Sequence, residues 1–321
     1  MNDAQIGHTA SILSNGLVLV TGGSGNVRYL STAELYDPLK NTWSNTGQLI
    51  VGREDHTASI LNDGKILVAG GYSNGLAMKY VNLYDPSTRI WTSIKKMNVA
   101  RQDHRAVTIL NGSVLVIGGY GTNILDSVEL YDVSTNDWIS KANLIYARED
   151  LSASVLTNEK VLVVGGMNKH RLNTGELYDP LTNIWTLTKN LNMARSHHTS
   201  SVLSNGKVLV VGGVNDTHSL NSVELYDPST GNWTLTGYMN SVRYGHTASV
   251  LPNGKVLVTG GYGDTNYLAT TESYDPLTGI WICEKNMIFP RRYHTASILP
   301  NGKIFVTGGQ SSSILKSTEL Y

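Results

Sequence analysis

Asn205–Trp233 reads NGKVLVVGGVNDTHSLNSVELYDPSTGNW, and a near copy of it appears six more times along the chain. The unit to explain is therefore a repeat of 47 or 48 residues rather than a string of 321. Self-similarity at a fixed period of this length marks a stacked or radial architecture, in which repeated residues build the frame and only the residues that break the repeat can discriminate a partner.

The copies are tightly spaced. Glycine doublets stand at Gly22-Gly23, Gly70-Gly71, Gly118-Gly119, Gly165-Gly166, Gly212-Gly213, Gly260-Gly261 and Gly308-Gly309. Tryptophans follow at Trp43, Trp91, Trp138, Trp185, Trp233 and Trp281, each with a Tyr seven residues before it and an Arg ten residues after it. Within one unit the pattern resolves into four strands. The first is of the HTASIL type (His8 to Leu13), the second an apolar run ending in the doublet, the third the ELY strand, and the fourth carries Trp. An Asn-Gly or Asp-Gly pair in six of seven units predicts a two-residue type I′ hairpin between the first two strands. Asp-Pro-Ser-Thr-Gly, Asp227 to Gly231, reads as a turn into the fourth strand. No segment keeps a helical period, so no α-helix is expected. One four-stranded unit cannot bury both faces alone, whereas seven stacked radially can.

This Gly-Gly, Tyr, Trp spacing resembles the kelch repeat over nearly the whole chain. The resemblance implies an all-β fold, a seven-bladed β-propeller with one four-stranded blade per repeat. Tyr321 aligns with Tyr226, so the seventh blade should lack its outer, Trp-bearing strand; residues 1–6 are too short and wrongly patterned to supply it. The period runs from end to end, which predicts a single domain over 1–321, and the open last blade favours a segment of a longer chain.

Composition narrows the function classes. Twenty-five basic and 25 acidic residues cancel, which removes the broad field that most nucleic-acid binders use. No apolar run approaches the length that spans a bilayer, and Met1 to Gly7 shows no secretory leader. The lone Cys283 cannot form an intramolecular disulfide. The expectation is a cytoplasmic monomer; sequons at Asn111, Asn215 and Asn232 would matter only outside the cell.

Repeated polar residues read as architecture. The first-strand histidines His8, His56, His104, His198, His246 and His294, with Leu151 in the remaining unit, recur once per blade around a wide channel. That symmetry does not bring three or four ligands to metal distance, so they are expected to bond to nearby backbone, with no metal and no cofactor. The arginines and third-strand glutamates read as repeated ion pairs. Some kelch-like propellers are copper-radical oxidases with a Tyr-Cys cross-link. That resemblance supplies the alternative function, which is disfavoured because Cys283 occupies an ordinary fourth-strand position beside Trp281 and no catalytic motif is present.

The expected function is instead a non-catalytic platform for a protein or peptide. In an up-and-down blade the two-to-three and four-to-one connections share one face, and that face holds nearly all the variation. The two positions after each Arg read Glu54-Asp55, Gln102-Asp103 and Glu149-Asp150, then Ser196-His197, Tyr244-Gly245 and Arg292-Tyr293. An acidic arc should thus face an aromatic and basic one, ready for a ligand with a basic group. The two-to-three loops add Arg28, Tyr29, Tyr80, Lys169, His170, Arg171 and Tyr267, residue types favoured as binding anchors.

Overall fold

The computed structural model describes residues 1–321 as six four-stranded antiparallel sheets, one three-stranded sheet and a two-stranded hairpin of Tyr72–Ser73 with Leu76–Ala77, with no helix. Blade 5 shows the unit: Thr199–Val202, Val208–Val211, Val223–Asp227 and Asn232–Leu235 lie side by side in chain order. Blade 7 consists of Thr295–Ile298, Ile304–Thr307 and Thr318–Leu320, without the Trp strand. The innermost strands of neighbouring blades abut, and that of blade 7 meets Thr9–Ile12 of blade 1, closing the ring around an axial channel.

Every second strand is buried along its whole length, because it is covered on both faces by adjacent blades. The core is accordingly a series of inter-blade layers. Leu115, Ile117 and Val128 of blade 3 pack against Leu151, Val161, Val163, Tyr178 and Trp185 of blade 4, and each such aliphatic side chain contributes about 1.5–3 kcal/mol when fully buried. Tyr and Trp sit directly opposite across strands three and four, with ring centroids 4.9–5.3 Å apart in all six complete blades. The indole then pins the preceding blade: Trp138 Nε1 donates to the Lys95 carbonyl and Trp185 Nε1 to that of Ala142, both at 2.9 Å.

The hairpin between strands one and two differs from the type I′ expectation. In blade 1, Gly16 N–H donates to Leu13 O and Leu13 N–H to Leu17 O. Only Gly16 has positive φ, at 81°, while Asn15 accepts the Leu17 N–H on its side-chain oxygen. This is a three-residue loop, a type I turn closed by a left-handed glycine. A type I′ turn would demand positive φ at Asn15 as well, and the side-chain bond makes that unnecessary.

The glycine doublets answer to space as well as to conformation. A Cβ on Gly22 would lie 2.8 Å from both the Arg53 carbonyl and His56 Cε1, so the chain entering blade 2 can seat itself only where side chains are absent. Gly23 N–H donates to that same Arg53 carbonyl at 2.7 Å. The doublet thereby fixes the residues that follow Arg53.

Candidate functional site at the channel mouth

The arginine of each four-to-one connection is fully buried and braced. Arg101 donates to the Gly118 and Ser127 carbonyls at 2.7 and 3.0 Å and pairs with Glu129 at 2.9 Å. The same pairing recurs at Arg148–Glu176, Arg195–Glu224, Arg243–Glu272 and Arg291–Glu319, as read from the repeat. With the arginine immobile, the next two residues have little freedom.

The first of the two forms a backbone bridge to the two-to-three loop, as in Glu54 with Tyr72, Gln102 with Tyr120 and Arg292 with Gln310. These bridges place both kinds of connection on one face. The second residue turns inward with φ between 51° and 65°: Gly7, Asp55, Asp103, Asp150, His197, Gly245 and Tyr293. Several pass a backbone hydrogen bond to the neighbouring blade, among them Asp150 N–H to Asp103 O and Tyr293 N–H to Gly245 O. Asp, His and Gly tolerate this left-handed conformation, whereas a tyrosine there is strained.

This collar lines a cavity of about 620 Å³ with Glu54, Asp55, Asp103, Asp150, His197 and Tyr293 on its wall. Burial pushes the Asp55 carboxyl well up, and Asp103, Glu54 and Asp150 push it further by like-charge repulsion. Burial likewise raises Asp150 to about 6, against the pull of Arg105 and Arg171. Glu149 rises to about 7 through burial and then through Asp150 and Asp103. His197 is lowered to about 4 by burial and so is neutral at pH 7. Its Nε2 lies 3.2 Å from an Asp150 carboxylate oxygen.

The aromatic side is organised differently from a basic arc facing the acids. The Arg292 guanidinium lies 5.1–5.7 Å from the ring centres of Tyr244, Tyr262, Tyr267 and Tyr293 and donates to Tyr244 Oη and Gln310 Oε1. It is an internal brace for a tyrosine wall. Tyr293 leans over Gly245, where a Cβ would meet its ring at 2.9 Å, and contacts His197 edge-on.

The remaining expected residues form a looser rim. Tyr29 packs edge-on against Tyr72, Tyr80 lies beneath the Lys96 ammonium, and His170 and Arg171 both pair with Asp216. Arg28 and Lys169 are exposed.

Arg105 is a cavity-lining residue that the reading of variable loops passes over, because it sits inside the first strand. The sequence signal was present: HTASIL becomes HRAVTI at this one blade. The first-strand histidines also differ from expectation, since they bond to the preceding blade's hydroxyl groups rather than to backbone. His56 Nε2 lies 3.0 Å from Thr9 Oγ1 and His246 Nε2 3.0 Å from Thr199 Oγ1, because the inward pleat aims each ring across the blade junction. Burial lowers His56 and His246 to about 3, leaving them neutral.

The family model for the KLHDC2/KLHL20/DRC7 Kelch-repeats domain matches residues 7–193 and again 153–321. No curated protein sequence matches the chain. Among solved structures, a fungal alcohol oxidase of the AA5 family in complex with copper superposes with a TM-score of 0.79 at 20% identity, covering 96% of this chain and 71% of that one. At that identity the likeness shows the fold alone. A copper centre does not fit the donors here: no group of three or more His, Cys, Asp or Glu side chains is placed to hold a metal ion, and Cys283 is exposed on the outer strand Ile280–Cys283, away from the channel.

Proposed function

Because the chain belongs to the KLHDC2/KLHL20/DRC7 kelch-repeat family, whose propellers in general bind protein partners, we propose that it docks a protein or peptide at this channel mouth, with a basic group directed at Asp55, Asp103 and Asp150. The observation that carries the reading is the meeting of these three side chains in one cavity, with no donor on the Asp55 carboxylate. An exposed ion pair contributes only about 0.2–1 kcal/mol. Carboxylates drawn partly out of water beside one another repel, and an incoming cation relieves that repulsion, so the group acts more strongly than its members singly. The tyrosine wall at Tyr244 and Tyr293 supplies the complementary anchor.

The test is calorimetric titration with a lysine-rich peptide at low ionic strength, comparing wild type with the Asp55→Asn/Asp103→Asn/Asp150→Asn variant. Binding should be strong in the first, lost in the second and weakened by salt. Equal binding of the two proteins, or equal binding of an alanine-rich control peptide, would remove the proposal. The oxidase alternative has its own check, since stoichiometric copper in the purified protein would overturn a purely binding role.

A further inference from the structure

At six of the seven blade junctions, a hydroxyl at the second position of the innermost strand meets the imidazole of the next blade. The pairs are Thr9–His56, Thr57–His104, Ser152–His198, Thr199–His246, Thr247–His294 and Thr295–His8, at 2.8–3.2 Å. At the junction of blades 3 and 4 both partners change together, to Arg105 and Leu151. Leu151 is fully buried in the apolar layer, so no imidazole is left without a partner. Arg105 is released into the cavity, where its side chain is exposed.

Arg105 remains without a counter-ion. Its guanidinium makes one hydrogen bond, to the His104 carbonyl at 3.3 Å, and forms no ion pair although Asp55, Asp103 and Asp150 line the same cavity. The Asp55 carboxyl, for its part, accepts no hydrogen bond, whereas Asp103 accepts one from Gln102 and Asp150 has the His197 ring 3.2 Å away. The cavity thus presents an unpartnered guanidinium and, at Asp55, a carboxyl without a donor, and the two form no ion pair with each other. A purely cationic group drawn to the aspartates meets repulsion from Arg105, and a purely anionic one meets it from the aspartates. A ligand bearing both charges a few ångströms apart satisfies each.

We infer that the channel mouth recognises a mixed-charge segment of a protein partner, in which a Lys or Arg side chain engages Asp55 and an adjacent Asp or Glu side chain engages Arg105. The inference rests on the acidic mouth being the docking site and adds the second half of the recognition. Arg105 is the residue that determines specificity, and the repeat itself supplies the control, because Arg105→Thr with Leu151→His restores the hydroxyl–imidazole pair of the other junctions.

The experiment is an NMR titration of isotope-labelled protein, following the amides of Asp55, Asp103 and Arg105, with three probes: acetyl-Lys-Glu-amide, acetyl-Lys-Ala-amide and acetyl-Ala-Glu-amide. Wild type should bind the Lys-Glu probe about fivefold more tightly than the Lys-Ala probe, the scale of one partly screened ion pair. In the Arg105→Thr/Leu151→His variant the order should reverse, since loss of Arg105 removes both an attraction and a repulsion. Should that variant fail to fold, Arg105→Gln takes its place with the same expectation. Equal binding of the Lys-Glu and Lys-Ala probes to wild type, or a preference that survives removal of Arg105, overturns the inference and leaves the acidic site standing. If neither lysine probe perturbs the wild-type cavity, the acidic docking site falls and this inference with it.

Discussion

Asp150 shows what the channel mouth costs the protein. Burial raises its carboxyl from 3.8 to about 6, so the folded state binds a proton that the unfolded state has already lost. Folded stability is unaffected by this group below about pH 4 and falls as pH rises through 6, where the carboxylate must ionise in its enclosed position. Asp150→Asn should therefore stabilise the protein by about 1–3 kcal/mol at pH 7.5 and by almost nothing at pH 4. Denaturant unfolding at the two pH values checks this, and an equal effect at both would mean that Asp150 is not held in a desolvated site. Tyr293 carries strain of another kind. Its φ of 52° suits glycine, and it is retained by contacts with His197 and with the braced Arg292.

At the level of the strands and their connections, the buried Arg–Glu pair joins the chain leaving one blade to the body of the next. Glu129 also accepts the Asn98 and Val99 N–H groups, so three donors converge on one carboxylate. Blade 2 departs from this. Arg53 is equally buried, but its partner in strand Val81–Asp85 is the neutral Asn82, whose Oδ1 accepts from Arg53 Nη2 at 2.8 Å. Burial lowers Arg53 to about 10 with no carboxylate to offset it. Asn82→Glu should restore the pair, cap the Ile50 and Val51 N–H groups and raise stability by about 1–3 kcal/mol. The urea midpoint reports the change; a midpoint that stays or falls would show that the space around Asn82 has closed to a longer side chain.

Across the whole molecule, the ring closes through contact between the innermost strands of blades 7 and 1, and every blade but the last presents its Trp strand outward. In blade 7 the outermost strand, Thr318–Leu320, pairs only with Ile304–Thr307 and has an open edge. Its amides should exchange with deuterium well before those of the corresponding strand Val128–Asp132, which is bonded on both sides. Hydrogen-exchange mass spectrometry resolves the two segments, and equal protection would mean that the edge of blade 7 is covered in solution.

The sequence by itself determined the seven blades, their four-strand order and the missing strand of the last one, because each rests on a period that recurs with almost fixed spacing. It also determined the Arg–Glu pairing, since a buried charge copied once per blade needs a partner copied at the same interval. Which variable residues meet was a different matter. Asp55, Asp103 and Asp150 are separated by a whole repeat in the chain, and only ring closure with a left-handed backbone at each turns them into one cavity. Tertiary structure also moved Arg292 from the ligand-facing arc into a tyrosine cage, and it brought Arg105 from an ordinary strand position into the channel. A single substitution in a strand gives no sign of which face it occupies near an axis until the neighbouring blade is in place. There Leu151, standing where the other blades carry a histidine, is what leaves Arg105 free.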